Sequence, residues 1–384
     1  MSVTFPKGFQ AAGVVAGLKA SGKPDVALVV NSGPDFISAG VFTKNRIKAA
    51  PVLWTQQCMQ SSNAKAVLLN SGGANACTGP SGFADTHESA EHVARLLNIG
   101  AIEVAVCSTG LIGKRLPMEK IFVGVDAAVN SLTTTGGQSA AEAIMTTDSV
   151  AKTAAYESSS GWKIGAMAKG AGMLAPGLAT MLVVITTDAK ISSQEASDLL
   201  QAATNLTFDR IDSDGCMSTN DTVLLLASGA AEVAPSLSEF QTALTEVCHD
   251  LARQLIADAE GATKDIQITV SNAATESDAL EVARAISRSN LLKCAIHGQD
   301  PNWGRVLAAL GTTNADFEPD QIDVDFNQVA VCRSGSALAQ EPVVDLSGRV
   351  VEISVSLNAG VSSASLWTND LTAMYVHENS AYST

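Results

Sequence analysis

The residues best placed for covalent chemistry lie between Met167 and Thr187, in the run MAKGAGMLAPGLATMLVVITT. Gly170 and Gly172 permit backbone dihedrals closed to other residues, and Pro176-Gly177 reads as a turn, so a glycine-rich loop leads into a buried strand. Thr180 stands where the apolar run begins. A strand entrance holds a hydroxyl rigidly and suits a nucleophile, but a β-branched threonine also belongs in a strand for structural reasons alone. Composition leaves both readings open. Elsewhere, Asp212–Asp221 has two acidic ends but lacks the glutamate that closes a twelve-residue EF-hand loop, so no metal is expected there. The five histidines (87, 92, 249, 297 and 377) show no HExxH spacing, and Gly72-Gly73 forms neither a phosphate-binding loop nor GxGxxG. The seven cysteines contain no CxxC pair, which points to reduced, buried thiols and away from disulfides or zinc.

Short apolar runs at Val26–Val30, Ala66–Leu69 and Val104–Cys107 end in Asn, Ser or Gly, the way buried strands meet loops. His87–Leu97 reads as a helix, and so does Glu239–Ala257, where Phe240, Leu244, Val247, Leu251 and Leu255 recur at helical spacing. A shorter helix is expected near Ala140–Ile144, after the Gly136-Gly137 loop. Ile266, Ile268 and Val270, and again Val351, Ile353, Val355 and Leu357, alternate with polar residues as half-exposed strands do. This interleaving predicts a layered α/β architecture with helices covering sheets.

The chain has 384 residues and a net charge of −15, which disfavours nucleic acid and anionic membranes as partners. The charge is uneven: residues 1–179 carry 14 basic and 11 acidic side chains, a balance of +3, and residues 180–384 carry 10 and 28, a balance of −18. The apolar run around Met173–Ile185 is too short and too broken by Pro176 and Gly177 to span a bilayer. The N-terminus lacks a basic region followed by a long apolar one, so the expected location is the cytoplasm.

KGAGMLAPGLATML is flanked, in order, by NSGGANACTG from Asn70, CSTGLIG from Cys107, MTTD from Met145, STND from Ser218, AEGATK from Ala259, GQDPNWGR from Gly298 and the terminal ENSAYST. Together these blocks resemble the ornithine acetyltransferases, the glutamate N-acetyltransferases of arginine biosynthesis, over nearly the whole chain. The resemblance implies an α/β fold with a helix–sheet–sheet–helix core and a smaller C-terminal α/β domain. It implies a self-inflicted cut between Ala179 and Thr180, leaving an α chain of 1–179 and a β chain of 180–384 that share the core and assemble as α2β2. Thr180 would then be nucleophile and, through its freed α-amine with a pKa near ~7.7–8.0, its own base. Acetyl would pass from N2-acetyl-L-ornithine to L-glutamate with no organic cofactor; some members of the family also take acetyl-CoA as donor.

By the same resemblance Thr109 and Gly110 form the oxyanion hole, which fits a strand ending at Gly110 where a hydroxyl and a backbone N–H donate side by side. The substrate contacts carried over are Thr146, with Thr147 as the alternative in the same block, Lys169, Thr180, Glu260, Asn379 and Thr384. Lys169 and Glu260 supply the two charges that a zwitterionic ligand needs, Lys169 for the carboxylate and Glu260 for the ammonium being the preferred of two orientations that the sequence leaves open. Cys216 and Met217 stand where the family often has other small residues, a departure that leaves the assignment of the nucleophile unchanged. Two other readings fit the residues: an N-terminal-nucleophile amidohydrolase or aminopeptidase of similar fold, with water as acceptor, and an uncleaved binding protein.

Overall fold

A computed structural model describes residues 1–175 and 181–381. The N-terminal half contains β1 (Phe9–Val14), β2 (Val26–Asn31), β3 (Ile37–Phe42), α1 (Ala50–Met59), β4 (Ala66–Asn70), α2 (Gly79–Leu97), β5 (Val104–Ser108), α3 (Met118–Asn130), α4 (Gly137–Ala143), β6 (Lys152–Glu157) and β7 (Lys163–Lys169). There follow β8 (Leu182–Thr187), α5 (Ser193–Leu206), β9 (Thr222–Ala227), α6 (Leu237–Ala257), β10 (Asp265–Ala273), α7 (Glu276–Ser287), α8 (Asn290–His297) and α9 (Trp303–Leu310). The chain closes with β11 (Asp323–Phe326), β12 (Val329–Arg333), β13 (Ser336–Ala337), β14 (Val350–Ser356), β15 (Ser362–Asn369) and α10 (Ala373–Ala381).

Two sheets, ordered β1-β2-β4-β5 and β3-β9-β8-β7-β6, stack face to face. The period-two geometry of a strand sends alternate side chains to opposite faces. Along the second sheet Met167, Leu182, Val184, Leu224 and Leu226 meet Val29, Val67, Leu69 and Cys107 of the first. Ile164, Ala166, Val183, Ile185, Val223 and Leu225 turn the other way, against α5 and α6. The outer face of the first sheet packs on α1, α2 and α3 through Leu28, Leu68, Val93, Val106 and Val125. The expected helix–sheet–sheet–helix core is therefore present, and burial on both faces explains why its strands read as unbroken apolar runs. A smaller C-terminal unit is also present: the sheet β13-β12-β11-β14-β10-β15 packs on α7, α8 and α9. In it β10 and β14 run parallel, pairing Ile266 with Val351 and Ile268 with Ile353.

Two expectations change. α2 begins at Gly79 and not near His87. The segment Gly79-Pro-Ser-Gly82 opens the helix: Pro80 fits the first turn, and glycine at 82 leaves room for Thr78, whose Oγ1 a Cβ there would meet at 1.9 Å. Of the cysteines, Cys58, Cys107, Cys248 and Cys332 are buried, but Cys77, Cys216 and Cys294 are exposed. Cys294 lies on α8, whose buried residues are Leu292, Lys293, Ala295 and Ile296, so helical spacing turns its thiol outward. Among the described residues no helix is long and apolar enough to cross a membrane.

The junction between residues 179 and 180 lies outside the described residues, but its flanks share one sheet: β7 and β8 pair antiparallel from Ile164–Thr187 to Lys169–Leu182. Each fully buried Val, Leu or Ile contributes ~1.5–3 kcal/mol, and both flanks contribute such residues to the same two cores. A chain cut at this junction is therefore expected to elute as one body from a sizing column at moderate salt. Separation of the fragments without denaturant would contradict the shared core.

Candidate functional site

The end of β5 is held by its neighbours. Asn70 Nδ2 donates to Ser108 Oγ at 2.7 Å, Asn220 Nδ2 donates to Ser108 O at 2.8 Å, and Thr109 N donates to Asn70 O at 3.0 Å. Gly110 then takes φ = 129°, and a Cβ there would sit 2.9 Å from Gly73 Cα. Only glycine fits a backbone approach this close. Among the described residues the Gly110 N–H meets no acceptor.

Lys169 closes β7 and is 2% exposed. Its Nζ donates to Thr109 Oγ1 at 3.2 Å. Because Oγ1 accepts from the ammonium, the threonine proton is left to donate into the cleft. Burial pushes the Lys169 pKa down, opposed by the carboxylates of Asp148, Asp221 and Glu260 and reinforced by the Lys152 cation. Asp221 lies wholly buried, accepts Met181 N at 3.2 Å, and has its pKa pushed well up by that burial.

Glu260, in the loop after α6, reaches the opposite wall. Its N–H donates to Ala171 O at 3.0 Å, and a Cβ on Gly172 would come within 2.6 Å of its carboxylate. Gly172 is thus needed for close approach and not for an unusual dihedral. Asn379 of α10 donates to Glu260 Oε2 at 3.0 Å. Beside it stands Tyr375, whose pKa is pushed up by burial and by the nearby Asp214. Asp214 in turn accepts Met173 N at 2.7 Å, tying the glycine-rich loop to the segment before β9.

These groups enclose a cavity of about 170 Å³. Thr109, Gly110, Thr146, Lys169, Glu260 and Asn379, which sequence reasoning selected, all line it, as does Thr147. Ala179, Thr180 and Thr384 lie outside the described residues. Sequence reasoning missed Asp148, Asp214 and Tyr375, although Asp148 ends the MTTD block and Asp214 lies in the acidic Asp212–Asp221 stretch. A second cavity, of about 340 Å³, adjoins the first across Asp214, Glu260 and Tyr375. On its far side stands Lys293, whose pKa burial lowers to about 8 against the pull of Asp212, Asp214 and Asp370. A buried cation faces a carboxylate across the smaller cavity, with two donors at the strand end. That arrangement suits a small zwitterionic ligand bearing a polarised carbonyl.

A family model, that of the ArgJ family, matches residues 10–384. The chain is 61% identical over 383 residues to the arginine biosynthesis bifunctional protein ArgJ of Streptomyces coelicolor and 60% identical over 384 residues to that of Thermobifida fusca, covering 100% of each chain. Among solved structures, the ornithine acetyltransferase of Mycobacterium tuberculosis complexed with ornithine is 59% identical. That match covers 47% of this chain and 96% of the other, at a TM-score of 0.45.

Gly110 and Gly113 both have positive φ, but only Gly110 has neighbouring backbone where a Cβ would go. Gly113→Ala is expected to cost about 1–2 kcal/mol, the ordinary strain of an L-residue there. Gly110→Ala adds the collision with Gly73 and is expected to cost clearly more, read from urea midpoints. Equal losses would show that the approach of the two backbones is not what requires glycine at 110.

Proposed function

The chain belongs to the ArgJ family and is an acyltransferase of arginine biosynthesis, and from that premise we propose that it cuts itself before Thr180 and then carries acetyl on the Thr180 hydroxyl. The observation that supports this reading is the convergence of Thr109, Gly110, Lys169 and Glu260 on one cleft walled by the loop that leads to residue 180.

In processing, Thr180 Oγ adds to the Ala179 carbonyl carbon, the peptide C–N bond breaks, and the proton lost by the hydroxyl passes to the departing nitrogen. Water then hydrolyses the resulting ester, leaving an Ala179 carboxylate and a free Thr180 amine. A free amine near its pKa can take a proton from the neighbouring hydroxyl, so one residue supplies nucleophile and base, the same pairing of roles that a serine and a histidine divide between them in a catalytic triad. Thr180 Oγ next adds to the acetyl carbonyl of N2-acetyl-L-ornithine. The C–N bond breaks, the proton moves to the leaving α-amine, and ornithine departs. The α-amine of L-glutamate then attacks the acetyl ester, and Thr180 Oγ recovers its proton as N-acetyl-L-glutamate leaves.

Each addition puts negative charge on a carbonyl oxygen. The Thr109 hydroxyl and the Gly110 N–H donate to that oxygen, and the Lys169 ammonium behind Thr109 Oγ1 polarises the hydroxyl into a stronger donor. Lys169 also meets the ligand carboxylate, with Glu260 and Asn379 on the facing wall for the side-chain ammonium. Thr146 and Thr384 complete the substrate contacts. The enzyme works in the cytoplasm as α2β2.

Product analysis tests the reaction: acetylornithine and glutamate should give acetylglutamate and ornithine, whereas free acetate alone would make the protein an amidohydrolase. Thr180→Ala should remain one chain of 39.5 kDa, and Thr180→Ser should be cut at least in part. A cut Thr180→Ala chain would refute self-processing at this bond. Thr109→Ala should slow both cutting and transfer, chiefly in kcat, by ~10²–10³. Unchanged rates in that variant would remove Thr109 from the reaction.

A further inference from the structure

Asp148, the last residue of the MTTD block, is a buried carboxylate without a part in the reaction as written above. Its side chain is 0% exposed, and both oxygens are fully engaged. Oδ1 accepts from Lys152 Nζ at 2.7 Å and from Gly170 N at 2.7 Å. Oδ2 accepts from Thr146 N at 2.9 Å and faces Thr146 Oγ1 at 3.4 Å. One carboxylate thus ties the Thr146 loop to the residue that follows Lys169.

The connections extend outward. Lys152, itself fully buried, spans from Asp148 to Asp258 Oδ2, which it meets at 2.5 Å. Asp258 also accepts Ser149 N at 3.0 Å, and it stands two residues before Glu260 in the loop that walls the cleft. A chain of ion pairs therefore runs from Asp258 through Lys152 to Asp148, whose carboxylate holds Gly170 N and so lies in the field of the adjoining Lys169, while Lys169 itself ends on the Thr109 hydroxyl. Burying ions this way is costly unless each is neutralised and hydrogen-bonded. A bridge needed only for stability would be complete with Lys152 and one acid. The second acid is placed where it faces Lys169 and Thr146.

We propose that Asp148 is a positioning residue for acetyl transfer: its carboxylate turns Thr146 into a fixed acceptor for the ligand and neutralises the buried Lys169 ammonium that orients the Thr109 hydroxyl. The assignment rests on the proposed acyl transfer. Lys169 is faced by Asp148 and Lys152 from the MTTD loop and β6, by Asp221 from the segment before β9, by Glu260 from the loop after α6, and by Lys19 from the β1–β2 loop. Asp148 and Asp221 differ in kind. Burial opposes the charge on Asp148, but Lys169, Lys152 and its hydrogen bonds hold its pKa down to about 2, whereas burial drives the Asp221 pKa well up. Asp148 is thus the ionised partner that accompanies Lys169 through the neutral range.

The sign of the effect follows. Negative charge on Asp148 raises the Lys169 pKa and positive charge on Lys152 lowers it. The test is the pH profile of kcat/KM for N-acetylornithine on the cut enzyme, whose alkaline limb reports loss of the Lys169 charge. Asp148→Asn should lower kcat/KM on the order of tenfold at neutral pH, the loss of one charge-assisted contact, and move the alkaline limb to lower pH. Lys152→Gln should move that limb the opposite way, to higher pH. A residue that only stabilised the fold would reduce melting temperature and active fraction without shifting the limb in either variant. An unmoved limb in both variants, with normal transfer by the unsubstituted enzyme, overturns this assignment alone. Absence of transfer by the unsubstituted enzyme at every pH overturns the proposed function and the assignment together.

Discussion

An ammonium taken out of water must be neutralised, and the site is arranged around one such group, the 2% exposed Lys169. β7 delivers it because that strand is sandwiched between two apolar layers, so the strand end projects into the interior and not into solvent. Carboxylates then have to approach from several directions. Glu260 can do so only across a glycine, at Gly172, and Asp148 only from a loop whose backbone N–H groups it also satisfies. Among the described residues the ammonium donates to the Thr109 hydroxyl, with the carboxylates acting through their field, and the same contact aims the proton of that hydroxyl into the cleft. Charge burial, loop composition and donor orientation are in this sense one constraint seen from different residues.

The same packing would keep the two parts together if the chain were cut as proposed. The strand before the junction and the strand after it are neighbours in the middle of a sheet, paired through six positions from Ile164 to Lys169. The two sides of the cleft come from opposite sides of the junction: Thr109, Thr146 and Lys169 precede it, and Glu260, Tyr375 and Asn379 follow it. Contacts such as Lys152 with Asp258 and Glu260 N–H with Ala171 O cross between the two parts. The opposite signs of the +3 and −18 halves act in the same direction, although screening limits that contribution to near contacts.

Much of the core was legible in the sequence because strands buried on both faces leave unbroken runs such as Leu182–Ile185, and α6 carries an apolar stripe at helical spacing. Helices without such a stripe at their start were not legible, as Gly79–Thr86 of α2 illustrates. Site residues that belong to short collinear blocks were readable through the family those blocks resemble. Asp214 and Tyr375 lie outside those blocks, and Asp148, although it ends one of them, was given no role there, since nothing local distinguishes a buried carboxylate bridging two loops from an exposed one. Their roles come from partners far along the chain: Asp148 from Gly170 and Asp258 by way of Lys152, and Asp214 from Met173 and Tyr375. Gly172 is a special position in its loop, but through the nearness of Glu260 and not through its dihedrals.

In the proposed reaction acetyl rests on the protein at one hydroxyl between the departure of ornithine and the arrival of glutamate. Mixing the enzyme with N-acetylornithine without glutamate, quenching in acid and measuring fragment masses addresses it directly. One acetyl group is expected on the fragment that begins with Thr180, located on that residue by sequencing and lost when glutamate is added before the quench. An unmodified Thr180 fragment alongside released ornithine, or acetyl on any other residue, would contradict it.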